Sequence, residues 1–213
     1  MVDKQRRGDV KVMRFKKTIS FYIIVMFSVI FFSISPSLEI SEEDTKADIK
    51  LKTVLYDYIA TQYKLATEKD MPEERLYLLV DAIMEASKVF DISPIMIVAV
   101  IDTETTFKNI IGPYGEVGYM QIRPTTAKYI VEKNILLFES LGYNNTDLDW
   151  IRERLLTDPR FNILVGTGYL KYLIEAHEDI YTALGWYNGG GNTYYANKVV
   201  YKVNAISIKY PII

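Results

Sequence analysis

The chain has 213 residues, enough for one ordinary domain and a short additional segment, and about half of them are apolar. The absence of cysteine excludes disulfides, thiol catalysis, thiolate metal sites and a lipid-modified N-terminal cysteine. The net charge of −2 is uneven, because residues 1–37 hold seven Lys and Arg against two Asp, which leaves a net charge of −7 on residues 38–213. An acidic domain is a poor candidate for binding nucleic acid or anionic lipid through its surface field, so we expect no nucleic-acid partner.

An uncharged apolar segment follows the basic flank of residues 1–17. Residues 18–34 would form a helix about 25 Å long, close to a hydrocarbon thickness of about 30 Å. We interpret residues 18–35 as a signal anchor rather than a cleaved signal peptide, since cleavage after Ser35 would leave Pro36 beside the cut. In either case the basic flank stays cytoplasmic and the rest is exported. We therefore predict a protein of the cell envelope, anchored in the inner membrane.

The remaining chain is predicted to be an all-α domain. Residues 36–47 form an acidic spacer, and residues 48–213 show apolar residues at helical spacing with no convincing strand alternation. Glycine and proline make residues 107–123 a loop. Helices are expected at residues 48–67, 72–90, 94–104, 124–134, 146–156, 158–176, 179–187 and 193–206, with Ser93 predicted as the N-cap of the third.

Glu104 gives the clearest local indication of chemistry. The stretch Pro94–Ile101 has no polar side chain, so its helix should be buried on nearly every face. A carboxylate at the end of such a helix is poorly solvated and lies at the negative end of the helix dipole, and both effects raise its pKa. A general acid working near neutral pH needs such a carboxyl. An exposed glutamate at an ordinary helix C-terminus would leave the same sequence pattern.

Several segments, in order and with sensible spacing, resemble the soluble lytic transglycosylase (SLT) domain of bacterial cell-wall enzymes. The third of them contains Gly118-Tyr119-Met120-Gln121, and another contains Trp186-Tyr187-Asn188. The matching segments are residues 93–101, 104–107, 115–127, 162–170, 183–190 and 195–199. Together they cover about residues 75–203.

The resemblance implies a goose-type-lysozyme-like helical fold. It also implies cleavage of peptidoglycan between N-acetylmuramic acid and N-acetylglucosamine without water, which leaves a 1,6-anhydro ring, and it makes Glu104 the sole catalytic carboxyl. Asp102 lies about 200° around the helix from Glu104 and cannot share its face, whereas geometry does not exclude Glu116. With one carboxyl, the substrate's N-acetyl oxygen has to stabilise the oxocarbenium-like centre.

The resemblance also assigns substrate-binding residues. Gln121 is expected to bind a sugar beside the acid with Met120 packed against it, although core filling explains Met120 equally well. Tyr187 and Asn188 are placed in the groove, with the Tyr187 hydroxyl near the catalytic carboxyl. Without the resemblance, Tyr187 would be interpreted as a half-buried core aromatic. Tyr195 matches a tyrosine of the family's last helix.

The sequence departs from the family at two positions. Gly112-Pro113 stands where many relatives have a serine after the glutamate and is one residue shorter, and Glu116 replaces a small residue. Both departures bear on how the N-acetyl group is positioned.

Other aromatic and ionisable residues complete the candidates. Trp186, Tyr119 and Tyr194 are possible stacking surfaces for sugars, with core packing expected for at least one. His177 is expected in an exposed spacer between helices, and no second histidine or other motif suggests a metal or cofactor. The alternative functions are a hydrolytic muramidase and a non-catalytic peptidoglycan-binding or scaffold protein on the same fold.

Overall fold

The computed structural model describes residues 42–211, and the predicted basic flank and signal anchor lie outside this range. The described part is all-α, as the sequence predicts, with two isolated β-bridges in the loop of residues 108–123. None of the helices in this part has the length and apolarity needed to cross a membrane. The helices are α1 (Glu42–Thr67), α2 (Glu73–Phe90), α3 (Pro94–Glu104), α4 (Pro124–Lys133), α5 (Ile135–Ser140), α6 (Leu148–Thr157), α7 (Pro159–His177), α8 (Ile180–Tyr187) and α9 (Thr193–Lys209).

Three differences from the predicted helices exceed two residues. Helix α1 begins at Glu42 rather than Asp48, so part of the predicted acidic spacer is helical, and α9 extends to Lys209. Helix α5 was not predicted, because six residues are too short to show a helical period. Asn134 separates it from α4 with a non-helical backbone (φ −119°, ψ 36°).

The N-terminal signals of several helices act as predicted. The carboxylates of Asp147, Asp158 and Asp179 each accept a hydrogen bond from a backbone N–H of the following first turn. Ser93 is the N-cap of α3 and Pro94 occupies its first turn, as predicted, although the Ser93 side chain makes no capping hydrogen bond. Pre-set proline φ and carboxylate caps therefore fix most of the helix starts.

Helix α3 is more exposed at its start than the sequence suggests. Every residue from Ile97 to Asp102 is buried, whereas Pro94, Ile95 and Met96 are partly exposed. Helix α9 packs against α3 and α8, and α2 packs most extensively against α7. The carboxyl end of α3 is thus enclosed by neighbouring helices and faces the loop that follows it.

Candidate active site

A cleft of about 690 Å³ opens beside the end of α3. One part of its wall is the loop of residues 108–123 together with the start of α4. The rest comes from the middle of α7 and from the end of α8 with the glycine segment that follows it. A volume of this size suits a ligand of several rings. The lining residues are Glu104, Pro113, Tyr114, Glu116, Gln121, Ile122, Arg123, Thr126, Tyr169, Tyr187, Asn188 and Gly189.

Glu104 is the last residue of α3 and is partly buried in the wall of this cleft. Removal from water raises its pKa from 4.5 to about 7, and the negative charge of Glu116 acts in the same direction. A hydrogen bond from Tyr195 and the positive charge of Lys198 act in the opposite direction and are outweighed. Near neutral pH the carboxyl is therefore divided between its neutral and ionised forms, as a group that both gives and takes a proton requires.

The tyrosine that contacts Glu104 is Tyr195 and not Tyr187. The Tyr195 hydroxyl donates to Glu104 Oε1 at 2.7 Å. The Tyr187 hydroxyl instead donates to the backbone carbonyl of Met120 at 3.0 Å, although Tyr187 lines the cleft. The two rings stack at 6.4 Å with an interplanar angle of 13°. Burial raises the pKa of both tyrosines well above the ordinary value, so both hydroxyls remain donors at neutral pH.

Met120 lies beneath the cleft rather than in it. Its side chain is fully buried, and its sulfur lies 4.0 Å from the Thr167 hydroxyl. The structure thus corrects the expectation that Met120 contacts a sugar, because a side chain with no accessible surface cannot reach a bound glycan. Met120 fills the core, and its carbonyl positions the Tyr187 ring.

Gln121 lies in the cleft wall with a left-handed backbone (φ 48°). Its side-chain amide donates to the carbonyls of Ile110 and Gly118 at 3.1 and 2.7 Å. Both donor hydrogens of the Gln121 amide therefore hold the loop. Asn188 lies across the cleft at the end of α8 and accepts a hydrogen bond from Asn192.

The two departures from the family pattern fit each other. The Glu116 carboxylate accepts hydrogen bonds from Arg123 at 3.1 and 3.2 Å and from the Tyr114 backbone N–H at 3.0 Å. A Cβ on Gly112 would lie 2.5 Å from the Gln121 amide oxygen and 2.8 Å from Glu116 Oε2. Glycine at position 112 lets both side-chain ends stay where they are, whereas a larger residue would displace them. Burial would raise the pKa of Glu116, but hydrogen bonds from the backbone of Glu116 and Tyr114 and from Arg123 outweigh it and hold this pKa below its usual value, so Glu116 is ionised beside Glu104.

The other aromatic candidates lie outside the cleft lining. Tyr119 is buried and accepts a hydrogen bond from Arg75, which confirms core packing for one of the three. Trp186 is 45% exposed and stacks on His177 at 5.1 Å, and Tyr194 is 72% exposed. The prediction that His177 lies in an exposed spacer is therefore wrong. His177 is the last residue of α7, and its ring stacks on the Trp186 indole. Within residues 42–211 no three His, Asp or Glu side chains are grouped closely enough to hold a metal ion.

Comparison with known proteins identifies the family. Residues 81–206, more than half of the chain, match the family described as Transglycosylase SLT domain. The chain belongs to the transglycosylase SLT domain family. It is also similar to the crystal structure of the 70 kDa soluble lytic transglycosylase SLT70 from Escherichia coli, at 18% identity and a TM-score of 0.44, over 76% of this chain and 26% of that one. No curated protein matches the sequence.

The SLT domain contains site residues that the sequence analysis did not single out. Arg123, Thr126 and Tyr169 line the cleft. Asn162 lies outside the lining and accepts a hydrogen bond from the backbone N–H of Met120. Asn162 and Tyr169 lie within segments that resemble the family, which was the available signal. Arg123 and Thr126, at the start of α4, also lie within such a segment, residues 115–127.

Replacing Tyr195 with phenylalanine is expected to raise the pKa of Glu104 further. The lost hydroxyl donates to the carboxylate and favours its charged form. A carbon-13 NMR titration of the Glu104 side chain measures the change. Tyr187→Phe is the matched control, since that hydroxyl bonds a carbonyl, and it should leave the Glu104 pKa nearly unchanged while costing about 1–3 kcal/mol of stability. Equal shifts in both variants would contradict the assignment.

Proposed function

We propose that the protein is a peptidoglycan lytic transglycosylase that cleaves the bond between N-acetylmuramic acid and N-acetylglucosamine, with Glu104 as its acid and base. The observation that carries the proposal is a partly buried carboxyl, with a pKa raised to about 7, in the wall of a cleft in an SLT domain. A perturbed carboxyl in a cleft is typical of a catalytic group. Gln121, Tyr187 and Asn188 are proposed to contact the glycan.

In the proposed reaction Glu104 gives up one proton in the first step and takes up another in the second. Neutral Glu104 gives its proton to the glycosidic oxygen as the bond to the muramic C1 breaks, and the N-acetyl oxygen of the substrate stabilises the oxocarbenium-like centre. The 6-hydroxyl oxygen of the same sugar then bonds to C1 and its proton passes to the Glu104 carboxylate. The Tyr195 hydroxyl stabilises that carboxylate between the two steps. The cleft supplies effective molarity by holding the ring in place.

Glu116 is the observation that favours a second candidate, a hydrolytic muramidase. Glu116 lines the same cleft as Glu104 and is ionised. The site therefore has one carboxyl with a raised pKa, Glu104, and one with a lowered pKa, Glu116. Hydrolytic glycosidases place two such carboxyls on either side of the scissile bond. Against this role, both Glu116 oxygens already accept hydrogen bonds from the protein.

We further propose that the domain acts outside the cytoplasm, in the cell envelope. The support is the sequence alone: a basic flank at residues 1–17 followed by an uncharged apolar segment at residues 18–35. In this arrangement the anchor holds the SLT domain near the membrane while its cleft reaches the glycan strands.

Product analysis tests the proposed function. The full-length protein in detergent is incubated with purified sacculi, and the released muropeptides are identified by mass spectrometry. We expect products ending in 1,6-anhydro-N-acetylmuramic acid, since the 6-hydroxyl replaces water as the nucleophile. Reducing ends would instead support the muramidase, and release no greater than that of a Glu104→Gln control would support the non-catalytic alternative.

The rate of cleavage should decline as the pH rises through about 7. The first step needs the neutral form of Glu104, and this form is lost as the pH passes the raised pKa. Initial rates at low substrate concentration, measured from pH 5 to pH 9, give this profile. A rate that is constant from pH 5 to pH 9, or one that already declines steadily from pH 5 as the ordinary carboxyl pKa of 4.5 would give, would contradict Glu104 as an acid with a raised pKa.

A further inference from the structure

Helix α9 makes two polar contacts with the carboxyl end of α3. The Tyr195 hydroxyl donates to Glu104 Oε1 at 2.7 Å, and the Lys202 ammonium bonds Asp102 Oδ2 at 2.6 Å. Tyr195 and Lys202 are seven residues apart, so they lie on the same face of α9 about two turns from each other. Two polar contacts therefore connect α9 to α3. One is at Glu104, the candidate acid, and the other is at Asp102, two residues earlier in α3.

The contact of Lys202 with Asp102 is buried and specific. The Asp102 side chain is 2% exposed and that of Lys202 is 24% exposed. Tyr58 of α1 donates to the same Asp102 oxygen at 2.7 Å, while Oδ1 is buried without a hydrogen-bond partner among residues 42–211. Lys202 thus supplies the one positive charge in direct contact with this carboxylate among the ion pairs of the described chain. Moving Lys202 away would leave the buried Asp102 carboxylate without a compensating charge, which is strongly destabilising.

The position of the Tyr195 hydroxyl depends on how α9 is rotated. The hydroxyl is at the far end of a long side chain, so a small rotation of the helix moves it by a large distance. A displacement of about 1 Å would take a hydrogen bond of 2.7 Å beyond bonding range. The stacked Tyr187 ring limits the tilt of the Tyr195 ring.

We propose that the Lys202–Asp102 ion pair is a positioning device, which fixes the rotation and register of α9 on α3 and thereby holds the Tyr195 hydroxyl on Glu104. The link to catalysis rests on the proposed function, because it takes Glu104 as the acid. Lys202 does not touch the cleft and acts only through Tyr195. The ionisable groups that influence the pKa of Glu104 are Tyr195 and Lys198 from α9 and Glu116 from the loop, while Tyr187 from α8 is itself influenced by the charge of Glu104.

A double-variant cycle tests this positioning role. Lys202→Gln is made in the full-length protein with Tyr195 and again with Tyr195→Phe, and the Glu104 pKa is measured by carbon-13 NMR titration. We expect Lys202→Gln to raise the Glu104 pKa where Tyr195 is present, since the hydroxyl moves away, and to add no further shift in the Tyr195→Phe background. Lys209→Gln is the matched control, because Lys209 joins α9 to Asp57 through an exposed pair at 3.7 Å, and it should shift nothing.

Two results would overturn the proposal. Equal shifts with and without the Tyr195 hydroxyl would mean that Lys202 acts on Glu104 through its charge, and no shift in either background would mean that α9 stays in place without the pair. If Lys202→Gln does not fold, the neutral pair Asp102→Asn with Lys202→Gln replaces it under the same criteria. The titration needs no substrate, so its failure is distinct from failure of the product analysis.

Discussion

Replacing Glu104 with glutamine is expected to lower the release of muropeptides by a factor of about 10²–10⁴, the usual contribution of a general acid and base. Glutamine keeps the size of the side chain and can accept a hydrogen bond from Tyr195, but it has no acidic proton to give to the leaving oxygen. Initial rates on purified sacculi, with the full-length protein in detergent, measure the loss.

The Glu116→Gln variant separates the two enzymatic candidates. Under the single-carboxyl account Glu116 does no proton transfer, so its loss should reduce the rate far less than the loss of Glu104. If both variants are equally inactive, the cleft works with two carboxyls and the muramidase is favoured. A Glu104→Gln variant that retains wild-type activity would remove the acid assignment altogether.

A stability measurement distinguishes a catalytic loss in Glu104→Gln from a loss caused by unfolding. The pKa of Glu104 is raised from 4.5 in the unfolded chain to about 7 in the folded protein, so the folded state holds this proton more tightly. Stability from this group is therefore present below pH 4.5 and is lost as the pH rises to about 7. Glutamine does not titrate, so at pH 8 the variant should be at least as stable as the wild type in urea unfolding.

Replacing Asn162 with alanine is expected to lower the free energy of unfolding by about 3 kcal/mol or more. The side chain is fully buried, accepts from the Met120 backbone N–H at 2.9 Å, and donates to the carbonyls of Val117 and Leu155 at 2.9 and 3.1 Å. Alanine would leave the Met120 N–H and the Leu155 carbonyl without this partner, at a cost of about 1–3 kcal/mol each before relaxation, while the Val117 carbonyl keeps the Ile122 N–H at 3.2 Å. Urea unfolding at pH 6 measures the difference.

Asn197→Ala is the matched control for this prediction. Asn197 lies on the exposed face of α9 and accepts one hydrogen bond from Tyr181 at 3.0 Å, so its loss should change stability by about 0.5 kcal/mol or less. If the two variants unfold alike, the loop of residues 108–123 is not held by Asn162. The crowding around Asn162 supports its importance: Gly118 has φ +82°, and a Cβ there would lie 2.1 Å from Asn162 Nδ2.

The helices could be predicted from the sequence because their determinants are local. Asp147, Asp158 and Asp179 lie directly before helices and cap them, and apolar periodicity marks the buried faces between. Helix α5 was not predicted because its apolar residues form only a short run, which a single residue, Asn134, separates from α4. Local signals thus determine where long helices begin but not where a short one interrupts a loop.

The burial of Glu104 could be predicted from the sequence, but its hydrogen-bond partner could not. Glu104 follows a run of apolar residues, and this local environment is what raises its pKa. Its contact with Tyr195 spans 91 residues and depends on how α9 packs on α3, which no local pattern records. The family resemblance selected Tyr187 as the nearer hydroxyl, and the packing gives Tyr187 to the Met120 carbonyl instead.

A carbon-13 NMR titration of the Glu104 carboxyl in the wild-type protein tests the central claim most directly. The burial of Glu104 beside the ionised Glu116 predicts a midpoint at about pH 7, with Tyr195 still bonded to the carboxylate above it. A midpoint near the ordinary value of 4.5 would contradict the account, because the carboxyl would then be ionised and unable to donate a proton at neutral pH.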